Sequence, residues 1–250
     1  MAEDTKEIYD RSASFWARRE PNSLSDFTAR PKIFDMCGDV SGLSIVDLGC
    51  GEGYCARVLE DRGASRIEAI ELSDKMIDLG RKQQNEGSRI NYRQGDVTNL
   101  PYEDGEFDMA VGVFVYNYLT VEEMKHSFEH VYRVLKDEGV FIFSVPHPSF
   151  PHIKSSHSPP FYFDVQGAGY FSSRNRSFNG EIYCRDGSAL PVQMVPKTLE
   201  DYFTALSDAG FRSIPQVREL KVTDEMLKLD KGFFEGVKDI PLHLAFRLSK

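Results

Sequence analysis

Val46-Asp47-Leu48-Gly49-Cys50-Gly51-Glu52-Gly53 is the most informative stretch of this chain. It completes an apolar run that begins at Leu43 and reads as a buried strand entering a glycine-rich turn. Glycines there let the backbone bend sharply and approach a ligand closely. A dinucleotide site carries G-x-G-x-x-G, with a pyrophosphate on the next helix N-terminus. This turn reads G-x-G-x-G, and Asp47 stands two residues before its first glycine. That carboxylate repels an anion and attracts a cation.

Alternation continues on the C-terminal side. A helix over about 54–62 leads to a second strand, 66–71, and a helix over 75–85 with Ser73 or Asp74 as N-cap. A short strand at 90–93 precedes Gly95-Asp96, and a long apolar strand spans 107–115. Thr120 with Glu123 forms a capping box that opens a helix to about Lys136. Val140 to Val145 is again continuously apolar, as strands buried on both faces are. After residue 196 come a helix (198–209), a strand (216–222), a helix (223–236) and a strand (242–248). The pattern predicts an α/β fold in a single domain, 1–250, built on a doubly wound, mostly parallel, seven-stranded sheet. Residues 1–38 read as a helical cover whose Tyr9, Phe15 and Trp16 present an aromatic face.

Composition narrows the partners. The 250 residues hold 30 Lys and Arg against 39 Asp and Glu, a formal charge of -9, which disfavours a binder of nucleic-acid backbones. Met1 to Asp10 carries four acids and forms no signal-peptide apolar region. The longest apolar-rich run, 109–119, is about half of a membrane span. Four cysteines without a CxxC pair suit reduced thiols and a cytoplasmic setting. Monomer and homodimer both fit.

Residues 147–196 break the pattern. They hold seven charged residues, a net +1 in a chain of -9, and eight aromatics. A loop-rich insertion of this length after the fifth strand is expected to be a substrate lid or a structural cap. Three acids, Asp47, Glu71 and Asp96, fall at the carboxyl ends of successive strands, the edge where ligands sit in open α/β sheets. Glu71 suits ribose hydroxyls. Asp96 suits an adenine amino group, with the Val97 backbone at a ring nitrogen.

VDLGCGEG (46–53), Glu71 in IELS, Gly95-Asp96-Val97 with LPY (100–102), FDMAVGVF (107–114) and RVLKDEGVFIFSVP (133–146) together resemble the class I S-adenosylmethionine-dependent methyltransferases. The likeness is to their ubiquinone-biosynthesis-like, type 11, small-molecule group and runs over about 40–146. It implies a Rossmann-like methyltransferase fold and S-adenosylmethionine as cofactor. Asp47, Gly49, Cys50 and Gly51 would shape the methionine pocket. Glu71 would hold the ribose, with Leu72 or Met76 packed on the adenine. Asp96 and Val97 would read the adenine edge, Val113 would touch the methionine through its backbone, and Tyr9 and Trp16 would cover the cofactor.

The acceptor side is less sharply marked. His147 follows the fifth strand and is the candidate general base, or else a structural histidine. His152 and His157 follow at intervals of five, but no acid at metal spacing joins them, so no metal is expected. Tyr116, Asn117 and Tyr118 suit either a substrate wall or core aromatics with a helix cap. Phe150, Arg174 and Arg176 are the lid's candidate contacts for a small apolar or aromatic acceptor carrying an acidic group. Methyl transfer to O, N or C of such a molecule is the expected activity. The other readings are an NAD(P)-dependent oxidoreductase, and a catalytically inactive cofactor-binding partner protein.

Overall fold

A computed structural model of the chain describes residues 6, 7, 9–11, 13, 16, 21–153 and 161–250. Phe15, Lys154 and His157 lie outside the described residues, as does the side chain of Phe161.

The seven-stranded sheet is present. Its strands are β1 (Ser44–Leu48), β2 (Arg66–Glu71), β3 (Ile90–Gln94), β4 (Phe107–Val113), β5 (Leu135–Pro146), β9 (Gln216–Leu220) and β10 (His243–Ser249). They are ordered β3-β2-β1-β4-β5-β10-β9. All neighbours pair in parallel except β10, which runs antiparallel between β5 and β9. Strand order reverses between β1 and β4, and a crevice at their carboxyl ends is the natural ligand site of such a sheet.

Alternation along the strands divides the core into two faces. Val46, Leu48, Ala110, Phe141 and Phe143 pack with α5 (Val121–Val134) and α6 (Leu199–Ala209). Their neighbours Ile45, Met109, Val111 and Ile142 pack with α2 (Arg30–Cys37), α3 (Tyr54–Asp61) and α4 (Asp74–Gln83) on the other side. Both faces are covered, which is why the strands read as continuous apolar runs.

Several boundaries move. The expected single helix over 223–236 is two short ones, α7 (Asp224–Leu229) and α8 (Lys231–Phe234), with a 3-10 turn at Glu235–Val237. Asp230 breaks it: its backbone is non-helical and its side chain caps the amide of Phe233. The expected loop-rich insertion is largely an antiparallel sheet of β6 (Phe161–Phe163), β7 (Phe178–Tyr183) and β8 (Ala189–Met194). Along β7, Phe178, Gly180 and Ile182 are buried while Asn179 and Glu181 are exposed, so one face rests on the molecule. Gly180 is required where it stands, because a Cβ there would lie 2.3 Å from the Phe163 ring. A bridge between Ser23 and Cys184 ties this sheet to the segment before α1 (Leu24–Thr28).

Candidate functional site

The turn after β1 shows why its glycines stand there. Gly49, Gly51 and Gly53 have φ of 63°, 57° and 82°, a region that disfavours side chains. A Cβ on Gly49 would lie 2.6 Å from the Val115 side chain, so the turn and the loop after β4 are in direct contact. Gly53 caps α3, and the third amide of that helix, Ala56 N–H, donates to the Asp47 carboxylate. Asp47 is 2% exposed, and its Oδ2 meets no protein donor. Burial, with Glu71 nearby, pushes it up to about 7.

Glu71 gathers the turn. Its Oε2 accepts Gly51 N–H at 3.0 Å, and its Oε1 accepts Leu72 N–H at 2.9 Å and Ser73 N–H at 3.0 Å. Burial raises its pKa while those three donors oppose the rise. Ser73 caps α4 by accepting Met76 N–H. Asp96 Oδ1 accepts from the Thr98 amide and hydroxyl, both at 2.8 Å, which orients the carboxylate at the end of β3.

These groups line one cavity of about 1440 Å³, open space at its mouth included. Asp47, Gly49, Cys50, Gly51, Glu71, Leu72, Met76, Asp96, Val97, Val113, Tyr9 and Trp16 all line it. Every expected cofactor contact is thus brought to one place. Tyr9 packs on Trp16 at 5.4 Å and on Tyr118 at 5.6 Å between ring centroids, closing one wall.

The expected acceptor contacts divide. Asn117 and Tyr118 line the cavity. Tyr116 does not: it is fully buried among Phe128, Phe141 and Phe143. Phe150 does not line it either: it is buried in the apolar cluster that includes Phe163, Ile182 and Val192 of the second sheet. His147 is 6% exposed and is not among the lining residues; its Nδ1 accepts Ser149 N–H at 3.1 Å and its Nε2 lies 3.2 Å from Glu219. Both ring nitrogens are engaged, and burial lowers its pKa. Arg174 makes a bidentate pair with Asp201 in the first turn of α6, and Arg176 lies over the Phe178 ring at 5.1 Å; neither lines the cavity.

Other residues reach it from distant elements. Phe163, Ile182 and Val192 of the second sheet line it, with Phe114, Tyr54, Arg30 and His243. Phe114, at the end of β4, holds φ of 60°, unusual for an aromatic, and packs edge-on to His243 at 5.0 Å. Fully buried His243 is held to Thr28 Oγ1 at 3.0 Å, and burial beside Arg30 lowers its pKa to about 3, so it stays neutral. Arg30 Nη1 donates to Asp26 at 2.6 Å and to Ser25 at 2.8 Å, while its Nε meets no acceptor. Nothing in local spacing marks Arg30 or His243, which lie far from the glycine turn in sequence. Among the described residues no cluster of His, Cys, Asp or Glu is arranged to hold a metal.

The residues present fit S-adenosylmethionine. A buried carboxylate oxygen without a donor suits its cationic methionine end. A glycine cradle admits close backbone approach, and acids at the ends of β2 and β3 suit the ribose and adenine. A pyrophosphate-bearing nicotinamide cofactor would meet Asp47 and Glu71 instead of cations.

Residues 45–139 match the family model described as a methyltransferase domain. A demethylmenaquinone methyltransferase of Lactococcus lactis is 30% identical over 182 residues, 69% of this chain and 65% of that protein. A putative methyltransferase of Bacillus subtilis is 26% identical over 78% of this chain and 83% of its own. An uncharacterised Haemophilus influenzae protein matches over 58% of its length, so the chain spans about three fifths of the first two curated relatives named for such similarity. Among solved structures, an S-adenosylmethionine-dependent methyltransferase from Mesorhizobium loti superposes with a TM-score of 0.68 at 25% identity, covering 88% of this chain and 96% of that one. With the acid-lined glycine turn at its head, the matched stretch is a methyltransferase domain, and the chain is similar to the class I S-adenosylmethionine-dependent methyltransferases.

Proposed function

We propose that the protein moves the methyl group of S-adenosylmethionine to a small molecule held between the glycine turn and the 161–194 sheet. The observation that carries this is the buried Asp47 Oδ2, without a donor, on a residue that lines one cavity with Glu71, Asp96 and the apolar side chains of the 161–194 sheet. The sulfonium supplies an activated methyl group when bound. This chain's part is alignment and exclusion of water. Phe163, Ile182 and Val192 form an apolar roof against water, and Asp47 and Glu71 hold the cationic nucleoside below it. Arg30, whose Nε meets no acceptor, is the cation of the lining that would take the methionine carboxylate. His147 has no part in proton transfer on this reading, because its ring is committed to Ser149 and Glu219.

The acceptor is a small molecule, and nucleic acid is disfavoured by the acids that line the cavity and by the acidity of the whole chain. Among the described residues no helix is long and apolar enough to cross a membrane, and the four cysteines are buried thiols. A cytoplasmic setting accords with those thiols.

Titration calorimetry with S-adenosylhomocysteine and with NADH tests the cofactor: binding of the first alone is expected, and binding of NADH alone would overturn the proposal. Incubation with methyl-labelled cofactor and mixed metabolites, read by mass spectrometry, separates an enzyme from an inactive binding protein.

A further inference from the structure

Asn117 is a polar residue inside an apolar roofed cavity, 4% exposed, two residues past the Val115 that packs on Gly49. Its position is fixed from both sides. The backbone carbonyl accepts Val195 N–H at 2.7 Å, at the root of the second sheet. Its neighbour Tyr118 is held by a hydrogen bond between its Oη and Tyr9 Oη. Buried Lys197 reinforces the same join by donating to the Tyr116 and Val195 carbonyls, both at 2.9 Å. Asn117 Oδ1 is buried without a hydrogen-bond partner. A buried carbonyl oxygen without a partner costs about 1–3 kcal/mol, and a ligand N–H or O–H removes that cost.

Charge limits what that ligand can be. The described lining carries Asp47, Glu52, Glu71, Asp96 and Glu123, and Arg30 is its one guanidinium or ammonium group. Arg30 is paired with Asp26 at 2.6 Å, and its remaining Nε is the group assigned above to the methionine carboxylate. Of the acids, Glu52 is paired with Arg57, and Glu123 accepts the Thr120 amide at 2.7 Å. His243, also lining the cavity, stays neutral. An acidic acceptor would therefore enter without an unclaimed cation and would face Asn117 Oδ1 with another acceptor oxygen.

We infer that Asn117 Oδ1 selects the methyl acceptor by accepting a hydrogen bond from its N–H or O–H, so that amines, alcohols or phenols are taken and carboxylates refused. The inference rests on the methyltransferase reading and names the acceptor class for the same site. It replaces the acidic acceptor that the lid arginines suggested, because those arginines do not line the cavity.

The test uses the full chain saturated with S-adenosylhomocysteine and three probes sharing one ring: benzylamine, benzyl alcohol and benzoate. Binding is read by saturation-transfer NMR. Benzylamine or benzyl alcohol is expected to bind and benzoate is not. Asn117→Leu should weaken the binding probes by about tenfold or more, with S-adenosylhomocysteine affinity unchanged. Asn117→Asp keeps the acceptor oxygen, and should restore benzylamine while still refusing benzoate. Benzoate binding as well as the others, no probe binding at all, or Asn117→Leu leaving the probes unaffected overturns the inference. So does a parallel loss of S-adenosylhomocysteine affinity in Asn117→Leu with retention in Asn117→Asp, which would give the oxygen to the cofactor. Failure of the unsubstituted protein to bind S-adenosylhomocysteine overturns the methyltransferase reading instead.

Discussion

Asp47 sits where a charge is costly until a cation arrives. Pushed up to about 7 by burial and by Glu71, it is largely protonated below neutrality in the unliganded protein. The ammonium of S-adenosylhomocysteine binds its ionised form, so protons compete with the ligand. Affinity for S-adenosylhomocysteine should rise with pH through about 7 and level off above it, falling by up to about tenfold per pH unit below. Calorimetry across neutrality checks this, and Asp47→Asn should both weaken binding and flatten the curve. The residues around Asp47 were legible in sequence because glycines and acids at strand ends leave a local signature. His147 was not, since the Glu219 that occupies its ring lies 72 positions away. Neither were Arg30 and His243, which reach the cavity only through the packing of α2 against the sheet and the insertion of β10.

At the scale of elements, α6 gives the clearest lesson. Thr198 and Asp201 form its capping box: Thr198 Oγ1 accepts Asp201 N–H, and Asp201 accepts Thr198 N–H at 2.8 Å. Arg174 adds a bidentate pair on the same carboxylate. The arginine that composition suggested as a substrate contact instead anchors the second sheet to a helix start, an arrangement with no local sequence mark. Asp201→Ala should cost about 1–3 kcal/mol in denaturant unfolding, through the lost cap and the stranded guanidinium. Arg174→Ala should lower stability less and leave acceptor KM unchanged; a raised KM would return Arg174 to the substrate site. Period and capping residues made α4, α5 and α6 readable. The strands of the second sheet were hidden by short length, prolines and interspersed polar residues, and by a register that depends on Gly180 yielding space to Phe163.

For the whole molecule, two sheets of unequal support share one cavity. The central strands of the larger sheet are buried on both faces, while the smaller one rests on a single face with a three-residue edge strand. Hydrogen exchange should accordingly find the slowest amides in β1, β4, β5 and β10, with β7 faster and β6 faster still. S-adenosylhomocysteine should slow residues 49–53 and 71–73 most. Equal protection of both sheets would show that they unfold as one unit. The doubly wound architecture was apparent from alternation alone, because each strand and helix carries its own period. The antiparallel place of β10 and the separate small sheet depend on which edges meet, and that is not written in any one segment.

The insertion of β10 between β5 and β9 also orders events during synthesis. As the chain leaves the ribosome, β5 and then β9 emerge before the strand that must lie between them. The β5 edge stays unpaired over that interval, nearly a hundred residues after β5 ends, and presents a row of unsatisfied amides and carbonyls to any passing strand. His243, the first residue of β10, lines the cavity, so the binding site is assembled with the last pairing step. A nascent chain stalled before β10 would hold the glycine turn and its acids, yet lack the wall that His243 and Phe114 build together.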